Sequence, residues 1–201
     1  MSKDVRKIKN FKLKLISFWA LIGLFTVAFV AIVVVLFVES RPLEDYDDIK
    51  KAKLTLVGSE IFNNKQASDY FVYIYTSDLD NSKVDTFKAE ELKPIIFNYF
   101  NFVKVNSRKD GIVPIFGFDV RNYNNRQVVG STNSSIELSG FENFQVKESD
   151  LPMLIRVIDG SIQTRNITSN DIQKSLQTVT SSFKSVSFDM VLPKKEDLFY
   201  L

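Results

Sequence analysis

The sequence predicts a mixed α/β domain placed behind one membrane-crossing helix. Three observations carry that expectation. Leu15 to Val38 is a run of 24 residues without a charge. After it, an apolar run, a long segment of helical spacing and a second apolar run follow in that order. Near the end, "LPMLIRVIDGSI" reads as a proline-led strand that turns at Asp159-Gly160 into its partner.

The uncharged run comes first. As a helix, 24 residues extend about 36 Å at 1.5 Å each, enough to cross a hydrocarbon core of about 30 Å. Before it stand Lys3, Arg6, Lys7, Lys9, Lys12 and Lys14 against Asp4 alone, and after it comes the acidic "ESRPLEDYDD". Cationic flanks stay on the cytoplasmic side, so the expected orientation is N-terminus in and C-terminal domain out. A signal peptide has an apolar core of only about 7–15 residues, so the reading favoured here is an uncleaved anchor. The expected organisation is a basic cytoplasmic segment (1–14), the membrane helix (15–38), a linker (39–54), a globular domain (55–184) and a tail (185–201).

Composition excludes several kinds of chemistry. The chain has no cysteine and no histidine. Thiol catalysis, zinc–thiolate sites and imidazole acid–base work are therefore closed to it. The whole-chain charge is +2, but the basic head holds more than all of it. Past residue 14 there is no bulk positive surface with which to displace counterions from phosphates, so no nucleic-acid partner is expected.

Within the domain, Val57–Lys65 is expected as a short helix and Tyr70–Tyr75, "YFVYIY", as a buried strand. Val84, Phe87, Leu92, Ile95, Ile96, Tyr99, Phe102 and Val103 recur at helical spacing, with Pro94 inside the run as an expected kink. "IVPIFGFDV" (112–120) reads as a second strand. A short helix is expected in Ser131–Gly140. The hairpin of Leu151–Ile158 and Ser161–Ile167 precedes a last helix capped by Ser169 or Asn170, with Ile172, Leu176, Val179 and Phe183 on one face. Asp78 and Asp80 read as helix-capping groups rather than a cation site, and Asp119 as a turn residue. The aromatics of "FNYFNF" (97–102) read mainly as core.

This order, together with "FGFDV" and "ESDLPMLIRVIDGSI", resembles the thioredoxin fold over roughly residues 55–184. The resemblance implies a mixed sheet flanked by helices and a cis bond at Pro152. It also implies that the backbone before that proline, at Asp150 and Leu151, can pair with an extended peptide. The family's Cys-x-x-Cys positions fall on Leu79 and Ser82 when counted from the first strand, and on Thr86 and Ala89 when counted back from Pro94. Neither register holds sulfur. Leu79, Ser82, Asp150, Leu151 and Pro152 are thus the candidate partner-binding residues, with no catalytic, metal or cofactor-binding residue and no cofactor expected.

A fold without its reactive groups works through its surfaces. The expected function is a non-catalytic scaffold or assembly subunit of a cell-envelope complex. The layout resembles the small anchored subunits of Gram-positive conjugative (type IV secretion) machines. The alternative is a chaperone-like or bacteriocin-transport accessory that binds extended peptides. Expected partners are the membrane, through Leu15 to Val38, and other envelope proteins.

Overall fold

In the computed structural model, residues 3–77, 83–107 and 109–181 are described, and they form two units, one ending at Pro42 and one beginning at Leu43. The first unit is helix α1, Lys3–Ser40. Its stretch Leu15–Val35 has a mean hydropathy of 2.7 and none of it is buried in the protein. The Thr26 hydroxyl donates to the Ile22 carbonyl at 2.9 Å, so this polar side chain needs no water. A helix of this length and composition serves as a membrane anchor or as a signal sequence.

In the second unit, β1 (Asp69–Tyr75) sits inside a four-stranded sheet. Its neighbours are β2 (Ile115–Asp119), which is parallel, and the antiparallel β5 (Met153–Ile158), which in turn pairs antiparallel with β6 (Ser161–Asn166). The order is β2-β1-β5-β6. Two short strands, β3 (Val129–Gly130) and β4 (Val146–Lys147), form a separate parallel pair. Helix α3 (Thr86–Asn106) links β1 to β2, and α4 (Ser169–Ser181) follows β6. A strand–helix–strand unit followed by an antiparallel hairpin and a helix, in this strand order, is the thioredoxin-like arrangement. The expected fold class is therefore correct.

The unbroken apolar run of β1 is explained by burial on both faces. Tyr70, Val72 and Ile74 point into one layer with Phe116, Phe118, Met153, Ile155 and Val157. Phe71, Tyr73 and Tyr75 point into the other, with Leu92, Ile96, Tyr99 and Phe100 of α3 and Ile172 and Leu176 of α4. Phe97, Tyr99, Phe100 and Phe102 are all buried, as expected of core aromatics. The Tyr99 hydroxyl donates to the Val113 carbonyl at 2.8 Å and ties α3 to the lead-in of β2. Among the described residues, α3 and α4 cover this second face and none of the first. The first is closed by irregular chain, the β3–β4 pair and the 3₁₀ turns Gly58–Ile61 and Arg126–Val128.

Local chemistry accounts for the element ends. Asp85 caps α3 by accepting from the Lys88 amide at 3.0 Å, and Pro94 lies within the helix on its exposed side. The hairpin turns at Asp159 (φ 47°) and Gly160 (φ 75°), the left-handed pair that matches the twist of antiparallel strands. A Cβ on Gly160 would lie 2.9 Å from the Phe62 carbonyl oxygen, so the position takes glycine for space as well as conformation.

Four expectations are corrected. Ser131–Gly140 forms no helix, because its side chains are engaged elsewhere: Ser134 accepts from the Gln145 amide and Asn133 from the Lys147 amide. Val57–Lys65 is only the single turn Gly58–Ile61. The cap of α4 is neither Ser169 nor Asn170. Thr168 accepts from the Asp171 amide at 3.2 Å and donates to the Asp171 carboxylate at 2.7 Å. Finally, residues 43–54, expected within a linker, are part of the domain. They carry helix α2 (Tyr46–Lys51), with Leu43 and Ile49 buried. Asp78, Leu79, Asp80, Ser82, Phe183 and the tail 185–201 lie outside the described residues.

Candidate functional site

The site expected from the sequence lies where the chain enters β5, beside the N-terminal turn of α3. The Leu151–Pro152 bond is cis. Pro152 is buried, and Leu151 is 0% exposed and part of the sheet's first core layer. Of the candidate partner contacts in this loop, only Asp150 keeps surface, and it is half-buried. Thr86, one of the alternative register positions, is exposed at the start of α3, whereas Ala89 is buried.

The backbone in front of the proline is already engaged. The Leu151 amide donates to the Glu148 carbonyl at 3.2 Å. The Asp150 carbonyl accepts from Lys88 Nζ at 2.8 Å. The Asp150 carboxylate accepts from the Asn133 amide nitrogen. Burial lowers the pKa of Lys88, and the nearby Asp150 and Asp85 carboxylates oppose that shift. The ammonium thus acts as a clasp between α3 and the proline loop. An incoming peptide would have to break these bonds before it could pair with the loop.

A second set of contacts joins the loop to the ends of the parallel strands. Arg121 Nη2 lies 3.3 Å from Glu148 Oε1, and its Nε donates to Thr76 Oγ1 at 3.2 Å. Asp119 Oδ1 accepts from the amides of Ser77 (3.2 Å) and Arg121 (2.9 Å), which makes Asp119 the turn residue its position suggested. Beside it lies a cleft of about 220 Å³, lined in part by Tyr46, Tyr75, Asp119, Arg121 and Asn122. Some of its polar groups bond within the protein: the Asn122 side chain accepts from the Asn124 amide, and buried Asn125 bonds to Gly58 and Asp119, whereas Asp47 and Lys50 of the lining are exposed. Tyr46 stacks on Tyr75 with ring centroids 4.2 Å apart. Burial, reinforced by Asp119, pushes the Tyr75 phenol well up, so it is neutral at physiological pH.

Among the described residues no three acidic side chains gather as a metal site would require. The sequence reading missed Lys88, Arg121 and Asn133, whose partners lie 62, 27 and 17 residues away. Lys88 carried one weak local sign, its place three residues after the capping Asp85. Phe87, expected on the helix's apolar face, is instead 80% exposed on the first turn of α3.

No family model matches this sequence, and no curated protein matches it either. Among solved structures, a yeast mitochondrial 1-Cys peroxiredoxin is similar at 13% identity. The likeness covers 63% of this chain and 96% of that one, with a TM-score of 0.37. The strand order described above, rather than this likeness, carries the fold assignment. The second unit is thus a thioredoxin-like domain, in a chain that holds no cysteine at any position and that carries one N-terminal helix apolar enough to cross a membrane.

Proposed function

We propose that the chain is a non-catalytic, membrane-anchored scaffold or assembly subunit of a cell-envelope complex, with its N-terminus cytoplasmic and its domain outside. The observation that carries this reading is the closed proline loop. Where the fold would present a free peptide-pairing edge, Leu151 is in the core and Lys88 holds the Asp150 carbonyl. The domain then offers rigid surface rather than a reaction centre. The six cations before the uncharged run support the orientation. A Gram-positive conjugative channel is the complex whose small anchored subunits this layout resembles. The closed loop weighs against the alternative, an accessory that binds extended clients at Pro152.

Crosslinking in intact cells, followed by identification of the captured proteins, tests the proposal. The expected result is a stable set of envelope proteins in fixed ratio, with negligible affinity of the purified chain for unfolded peptides. Capture of heterogeneous unfolded clients, or turnover of any substrate by the purified chain, would refute it.

A further inference from the structure

Only Arg41 and Pro42 stand between the end of α1 at Ser40 and Leu43, where the domain begins. Leu43 is held in an unusual way. Its amide donates to Asn101 Oδ1 at 2.7 Å, and its carbonyl accepts from Asn101 Nδ2 at 3.0 Å. Asn101 is a buried amide on α3, a helix whose other inward positions are mostly apolar. A buried amide normally costs stability unless its donors and acceptor are matched, and here the match is the backbone N–H and C=O of a single residue, Leu43, three residues past α1.

In the stretch after Leu43, Ile49 is buried in the core and Tyr46 packs against that core from a half-buried position. Tyr46 stacks on Tyr75 and meets Phe97 edge-on at 5.5 Å. Ile49 sits over Gly117, where its Cγ2 would be 3.4 Å from a Cβ. Strand-like pairing begins only where Gly117 donates to the Leu54 carbonyl and accepts from the Leu56 amide. Between these points Glu44, Asp45, Asp47, Lys50, Lys51 and Lys53 are exposed. Helix α2 keeps its own cap, the Asp45 carboxylate accepting from the Asp48 amide, so it does not depend on the sheet for that bond.

We propose that residues 43–54 are a stowed length of tether, clasped by Asn101 and releasable without unfolding the sheet. Release lengthens the free chain between helix and domain from two residues to fourteen. At about 3.4 Å per residue the maximum reach rises from about 7 Å to about 48 Å. In a membrane-anchored subunit this sets how far the domain can travel from its anchor to meet a partner. That consequence rests on the anchored reading, whereas the release itself is a property of the domain.

Hydrogen exchange on the full chain in detergent micelles tests the proposal, with the variants Asn101→Ala and Tyr46→Ala. The first removes the clasp, and the second weakens the stack from the strap's own side while leaving α3 intact. The expected result is faster exchange at Leu43, Ile49 and Ala52 than at Val72 and Leu154 in the native chain. Each variant should accelerate the first group a further 10- to 100-fold, roughly the loss of one or two hydrogen bonds' worth of protection, with the second group unchanged. If the strap amides exchange as slowly as the sheet, or speed up only together with it in both variants, the strap belongs to the cooperative core and the proposal fails. Vesicle flotation of the same samples reads the anchor separately. Loss of flotation with strap release retained would remove the anchored reading alone.

Discussion

Alkaline pH should unfold this domain through its tyrosines. Tyr73, Tyr75 and Tyr99 are 0%, 4% and 0% exposed, and burial raises the pKa of each phenol. In the unfolded chain these phenols ionise near the ordinary value of 10. Between that pH and their raised folded values, the unfolded state has lost protons that the native state keeps. Stability therefore falls as pH rises through this window and is unaffected below it. At pH 11 each such phenol removes about 1.4 kcal/mol, so the three together remove about 4 kcal/mol. That is a large share of the 5–15 kcal/mol typical of a domain. Lys88 works the other way, because its lowered pKa lets stability rise with pH below the ordinary lysine value. As one half-buried group it offsets only part of the loss. Denaturant titrations at pH 8, 9, 10 and 11, followed by circular dichroism and tyrosinate absorbance, measure the effect. Tyr99→Phe provides an internal check. It loses the bond to the Val113 carbonyl, costing about 1 kcal/mol at pH 8. It also loses one titrating group, so its deficit against the native chain should vanish near pH 11. Flat stability from pH 9 to 11, or tyrosinate forming in the folded chain at the unfolded value, would refute the reasoning.

Three further outcomes follow from single contacts. Arg156 grips Asp69 with two bonds of 2.8 and 2.7 Å while lying 5.7 Å from the Phe71 ring centroid. Both side chains are about one-third exposed, so a double-mutant cycle of Arg156→Met and Asp69→Asn should give a coupling of about 1 kcal/mol rather than the larger value of a buried pair. Gly160→Ala should destabilise by about 2–3 kcal/mol, read by thermal unfolding, because a left-handed backbone and a 2.9 Å approach to the Phe62 carbonyl act together. Thr168→Ala should cost about 1 kcal/mol, whereas Ser169→Ala, which loses only a surface bond to Glu91, should stay within about 0.5 kcal/mol. Equal losses at the two positions would contradict the assignment of the α4 cap.

What the sequence by itself determined was whatever a short window encodes. The uncharged run specifies a membrane-length helix through hydropathy alone. The six apolar residues of Tyr70–Tyr75 mark a strand buried on both faces, and Asp159-Gly160 marks the hairpin through backbone sterics. The order of these elements limited the topology to very few arrangements, and the absence of cysteine set aside thiol chemistry. Tertiary structure decided everything that depends on distant partners. Leu43 looked like acidic linker until Asn101, 58 residues on, matched its amide and carbonyl. Ser131–Gly140 had helix-compatible ends, but Asn133 and Ser134 bond more favourably to chain 11–17 residues away. The proline loop looked like an open edge until Lys88 and the core layer closed it. The reason is physical: periodicity and turn sterics act over a few residues, whereas the desolvation of a polar group is settled only by what the fold brings to meet it.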